Sequence, residues 1–411
     1  MAPRLEGGCR ATLTPARPLA TSVGTTPTTD VLALRRAALW ALLAAKMLAS
    51  WGVGWDIQWH VRIGRDSFWI PPHVMTYAGV SLVVLLSFGV LVWETVGLRG
   101  AGDAGRRPRT IRRLGLTGTR GFHVAAWGIS VTVLAAPIDA LWHRLFGLDV
   151  TLWSPPHLLG FLGGLINTVG CLLIAREAYP EASRARLAAL VVSGAWLYGT
   201  LDRILEPASL VAYQHGGIRF HTYAMLAALV LPLTLVGTAR LTGRRWAPIA
   251  VLLVLSASGL AGREIARVGF AWVRPVSVIG EEIAKDPTSP IALAHEIARK
   301  NRGAPGSPRG VWTIVGLLPA VVMAAVDARR WSVAASLAWA VALFAFSAAG
   351  LARSPAFQVM VPGPVETGVA LAVTAGAAAL SGLMARRVCD LLSDGVRSRR
   401  RGVDWPPRGG P

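Results

Sequence analysis

Long apolar runs separated by short polar, arginine-bearing stretches set the pattern of this chain. A helix needs ~20 mostly apolar residues to cross a bilayer core. Ten segments approach that length: 36–57, 73–97, 121–144, 156–176, 185–206, 220–240, 246–267, 311–327, 332–353 and 365–386. Lys46 interrupts the first, and Arg263 with Glu264 the seventh. The pattern predicts an all-α fold: a polytopic membrane helix bundle of about ten transmembrane helices with repeated helical hairpins. Residues 1–30, rich in Thr, Pro and Ala, lack a continuous apolar core and read as a disordered tail rather than a signal peptide. Residues 31–241 form three repeated hairpins, and 242–386 the remaining spans with an outer loop at 268–310. Residues 387–411 form a second, basic tail.

Composition agrees with that division. The chain is 53% hydrophobic and only 16% charged, too small a charged share to cover a soluble domain of this length. A net charge of +20 invites a nucleic-acid reading, but the arginines lie between apolar runs and no nucleic-acid-binding motif accompanies them. Basic loops at one membrane face account for them instead. Arg99, Arg106, Arg107, Arg109, Arg112 and Arg113 follow the second span. Arg240, Arg244 and Arg245 follow the sixth, and Arg329 and Arg330 the eighth. Arg397 and Arg399 to Arg401 lie in the C-terminal tail. With ten spans these clusters share one side, which predicts a protein of the cell (plasma or inner) membrane with both termini cytoplasmic. Cys9, Cys171 and Cys389 follow no pattern, so neither a disulfide framework nor a thiolate metal site is expected.

The chemistry is concentrated in an internal repeat. Residues 55–73 read WDIQWHVRIGRDSFWIPPH and residues 138–157 read IDALWHRLFGLDVTLWSPPH. Both carry D-x-x-W-H and then W-x-P-P-H, so Asp56, His60 and His73 correspond to Asp139, His143 and His157. A weaker third copy holds Asp202, Glu206 and His221, with Glu in place of His and no Pro-Pro pair. Residues four apart share a helical face, with Cβ atoms ~5–6 Å apart. Asp56 and His60 thus present an oxygen and a nitrogen at the end of one helix. Pro71 and Pro72 suit the start of the next and bring His73 to a similar depth. One hairpin supplies all three ligands, and the charge argument puts the sets at the outer face. Two histidines and a carboxylate suit copper, iron(II) or zinc. The structural alternative is a capped helix end with Asp–His hydrogen bonds and an aromatic belt of Trp59, Trp69, Trp142 and Trp153.

The D-x3-H-x12-H spacing of Asp56, His60 and His73 resembles a copper site in the C subunit of the particulate methane and ammonia monooxygenases. The D-x3-H-x13-H spacing of Asp139, His143 and His157 is similar to a neighbouring copper site there, usually written with Asn first. The resemblance covers about residues 36–240. It implies bound copper, oxygen-dependent hydroxylation of a small apolar substrate, and work beside other membrane subunits; a homo-oligomer is the other expected assembly. Asp139 in place of Asn, the third Asp/Glu/His set and the last four spans depart from that pattern.

Other polar residues read as structural. His123 precedes Asp139 by about 24 Å of helix and is expected to be a hydrogen-bonded interfacial histidine. His215 and His295 read as loop histidines. Lys46 is expected to face the bundle, and Arg263, Glu264 and Arg267 to pair among themselves. The competing functions are a proton- or metal-ion-coupled transporter and a haem-binding electron carrier using His pairs.

Overall fold

Prolines set the starts of several helices. The first amide of a helix has no partner within it, so a proline there loses no hydrogen bond, and its fixed φ suits the turn. Pro71, Pro155, Pro290 and Pro364 each open a helix in the computed structural model, which describes residues 27–64, 67–99, 110–146, 152–303 and 310–401. The tail residues 1–26 and 402–411 lie outside the described residues.

The first six helices are α1 (Pro27–Ile63), α2 (Pro71–Arg99), α3 (Arg120–Phe146), α4 (Pro155–Ala178), α5 (Arg184–Tyr213) and α6 (Thr222–Thr242). Then come α7 (Ala247–Val273), the short α8 (Ile279–Lys285) and α9 (Pro290–Lys300), α10 (Gly310–Val326), α11 (Ser332–Ala352) and α12 (Pro364–Arg401). α12 therefore stays helical well into the segment expected to be a tail. The α2–α3 connection holds a feature the hydropathy pattern does not announce, an antiparallel ribbon of β1 (Ile111–Arg113) and β2 (Leu116–Gly118). Leu114 and Gly115 turn it with φ of 47° and 79°, the left-handed pair that a two-residue hairpin loop requires.

Every expected span falls on a helix, but not every helix is a span. Seven helices among the described residues are long and apolar enough to cross a membrane: α2, α3, α4, α6 with its preceding turn, α7, α11 and α12. The expectation of about ten is corrected to that number. Polar side chains explain two of the three differences, since α1 carries Arg35, Arg36 and Lys46, and α5 carries Asp202, Arg203 and Glu206. The described apolar stretch of α10 covers only Gly316–Val326.

α1 is the helix around which the first half is assembled. Arg35 grips Glu94 on α2 with a two-pronged ion pair, Nε and Nη2 each 2.7 Å from a carboxylate oxygen, and both side chains are buried. Lys46 donates to Gly164 O and to Asn167 Oδ1 on α4, at 3.1 and 3.0 Å, as its expected inward orientation requires. Asn167 in turn donates to Ala125 O on α3. Arg203 on α5 reaches Ser50, and Trp51 donates to Ser258 on α7. Small residues then let the hairpins close. Gly128 on α3 and Gly163 on α4 sit so near the facing backbone that an added Cβ would overlap it.

Two of the apolar cores among the described residues are large. One joins α1 to α5 around Leu39, Leu42, Phe122 and Ile174. The other joins α5, α6, α7, α10, α11 and α12 around Leu231, Leu235, Met323 and Trp339.

Removing one member of the Arg35–Glu94 pair strands a buried charge, so Glu94→Gln should destabilise by about 3–5 kcal/mol. The double change Arg35→Met with Glu94→Leu should recover most of that loss. Thermal unfolding in a membrane mimetic checks this, and a double variant as unstable as the single would contradict it.

Candidate functional site

Both Pro-Pro-His sequences begin helices, placing His73 and His157 as the third residues of α2 and α4. Each faces the last turns of the preceding helix. In the first hairpin all three expected residues come together. Asp56 Oδ1 lies 3.1 Å from His73 Nε2 and 3.3 Å from His60 Nδ1, and the two imidazole rings are 6.2 Å apart.

Hydrogen bonding around the rings decides which nitrogens carry protons. His73 Nδ1 is 3.0 Å from Ser67 O, and a carbonyl only accepts, so Nδ1 donates. In the neutral ring the lone pair is then on Nε2, facing Asp56. By the same reasoning His60 donates through Nδ1 to Asp56 O at 3.0 Å. Asp56 Oδ1 itself is closed off from solvent, and these two imidazole nitrogens lie beside it. A carboxylate oxygen and a nitrogen lone pair 3.1 Å apart repel unless positive charge lies between them.

Aromatic rings also fasten this end of α1 to α7. Trp55 and Trp59, both buried on α1, pack against Phe270 on α7, with Trp59 stacked on it at 5.8 Å. The α1 terminus beneath is held by the segment after α7. Helix ends leave carbonyls without partners. Here Val61 O accepts from His295 Nε2 at 2.7 Å, Arg62 O from Ser277 Oγ at 2.6 Å, and Ile63 O from Val278 N at 2.8 Å. His295 is thus a helix cap, a role its position in sequence does not reveal.

The second hairpin repeats the central pairing more loosely, with Asp139 Oδ1 3.5 Å from His157 Nε2. The His143 side chain lies outside the described residues. Trp153, between these two helices, donates to Ile204 O on α5 at 2.7 Å and ties the second hairpin to the third. In the third set, Asp202 accepts a 2.6 Å hydrogen bond from Tyr223, while the buried His221 ring stacks on Phe344 at 4.3 Å. Glu206 is exposed. These contacts give the third set a packing role rather than the arrangement of the first. Among the described residues, no group of three or more His, Cys, Asp or Glu side chains is gathered as a metal would hold them.

The remaining polar residues behave as structural groups. His123 Nε2 is 3.3 Å from Ile111 O in the ribbon, His215 is exposed, and Arg267 pairs with Glu264 at 2.8 Å. No protein-family model matches the chain, and comparison with curated proteins and with solved structures finds no match either.

Loss of the His295 cap should loosen the end of α1 that carries His60. At about 1 kcal/mol for one hydrogen bond, His295→Ala should speed exchange of the Val278 amide roughly fivefold. Hydrogen-exchange mass spectrometry reads this directly; unchanged protection of that amide would show that the cap contributes nothing.

Proposed function

We propose that this chain is a multi-pass membrane protein that binds a transition metal ion at the α1–α2 hairpin through Asp56, His60 and His73. Asp139, His143 and His157 provide a second, related set at the α3–α4 hairpin. The reading is carried by one observation: Asp56 Oδ1, closed off from solvent, faces His73 Nε2 at 3.1 Å while Ser67 O takes the proton on Nδ1 of the same ring. Two donors on one tetrahedral ion, with bonds of ~2.0–2.1 Å, are roughly 3.3 Å apart, close to this separation. The donor set suits copper, with iron and zinc as competitors.

The fit is incomplete in one respect. His60 donates through Nδ1 to its own helical turn, so its ring must turn before it joins the other two donors. Ser67 fixes the tautomer and direction of His73, Asp56 balances charge, and the packing of Trp55 and Trp59 on Phe270 steadies the turn of α1 that carries Asp56 and His60. Bound copper would supply oxygen-dependent redox chemistry, and the motif spacing points to a relationship with the membrane monooxygenases, as enzyme or as subunit, acting on small apolar substrates. The arginine-rich loops support an outward-facing hairpin site, whereas the expectation of two cytoplasmic termini depended on an even number of crossings, which seven spans do not give.

A second reading draws on the same distances. A carboxylate within reach of two imidazoles can pass protons, and the absence of a gathered three-donor group among the described residues favours it. Elemental analysis of the full chain, purified in native-like membrane and loaded with copper, separates the two. Metal binding predicts stoichiometric copper, with affinity falling at least ~100-fold in Asp56→Ala and His73→Ala. Copper-free protein that carries protons into liposomes, with flux abolished by Asp56→Asn, would replace the metal reading with the proton one.

A further inference from the structure

The end of the bundle opposite the Asp/His hairpins holds different chemistry. There α4 and α6 end, α5 begins, α12 passes at Cys389 and the α10–α11 turn borders a half-open cavity of about 450 Å3. Arg176, Arg186, Arg240 and Arg329 line it, with Glu181 as the acid among them. Leu187, Leu190 and Leu241 give it an apolar wall.

The guanidinium groups are held in place by the protein. Arg240 donates to Arg329 O at 3.0 Å and to Asp390 at 2.7 Å, while its Nε is shielded from solvent and forms no hydrogen bond. Arg329 donates to Gly243 O and clamps Asp327 with two further bonds. Those bonds hold the Asp327 carboxyl below the usual carboxylate range. Arg176 donates to Leu392 O at 3.3 Å. Asp327 and Asp390 also face Arg330 and Arg386, at 3.9 and 3.8 Å. Positive charge thus exceeds negative around the cavity, six arginines against Glu181, Asp327 and Asp390.

The depth of the cavity selects the ligand. Arg176 and Arg240 lie in the last turns of two apolar helices, Pro155–Ala178 and the one that ends at Thr242, where a lipid headgroup sits beside the first methylenes of its chains. Planar, fixed guanidinium groups match phosphate oxygens, and a leucine wall beside them matches the chains. We propose that this cavity binds the phosphate group of an anionic phospholipid from the surrounding leaflet.

Native mass spectrometry of the full chain in neutral detergent tests it, with dioctanoyl phosphatidylglycerol, dioctanoyl phosphatidylcholine and inorganic phosphate as probes. Phosphatidylglycerol should bind about tenfold more tightly than phosphatidylcholine, and Arg176→Gln with Arg186→Gln should remove most of that preference. Arg186→Lys, which keeps the charge but not the fork, should retain part of it, and serves where the double variant does not fold. Arg244→Gln, outside the cavity, should leave it unchanged. Equal binding of the two lipids by the natural chain, or an undiminished preference in the double variant, overturns the site. Inorganic phosphate displacing phosphatidylglycerol at equal concentration overturns the lipid assignment in favour of a soluble phosphate.

Discussion

A charge inside an apolar bundle must be met by the protein, because neither hydrocarbon nor a packed core offers it a counter-ion or water. α1 carries that requirement through the first half of the molecule. Arg35 takes Glu94 from α2, Lys46 takes Asn167 from α4, and Ser50 receives Arg203 from α5. Each contact fixes the rotation of α1 against a different neighbour. A helix held this way cannot turn freely, so the face bearing Asp56 and His60 is directed at the start of α2 and at His73. The site at one end of α1 thus follows from polar contacts nearer its other end and its middle.

The same contacts explain what hydropathy could and could not reveal. All ten expected segments are helices, since apolar length is a property of the local sequence. Whether a helix faces lipid depends on its partners, and the partner of Arg35 is 59 residues away. A hydropathy window registers the cost of Arg35, Lys46 or Arg203 without seeing what offsets it. The inward orientation of Lys46 was legible because a lysine midway along a span has few alternatives; Asn167 as its partner was not. The ribbon at 111–118 was hidden for another reason, being only six paired residues among basic loop sequence.

Legibility of the candidate site followed the strength of the repeat. Where the Asp, His and Pro-Pro-His elements were all present, in the first hairpin, the three side chains meet. In the second, the Asp139–His157 pairing recurs at a longer distance. In the third, the spacing persisted but the flanking residues did not, and Asp202 turned to a phenol, Tyr223, that no spacing argument had considered. Periodicity places residues on a face; it does not choose between two hydrogen-bonding partners that reach the same face. The His295 cap belongs to this class as well, because its acceptor is separated from it by 234 residues.

The strap formed by Ser277, Val278 and His295 also bears on the order of assembly. α1 is synthesised before the other helices described, yet of the groups that close its final carbonyls Ser277 and Val278 follow α7, and His295 lies in α9. Until then the turn that holds Asp56 and His60 can fray. The first helix is therefore among the last to be completed, and the hairpin chemistry can mature only once the chain as far as α9 is in place.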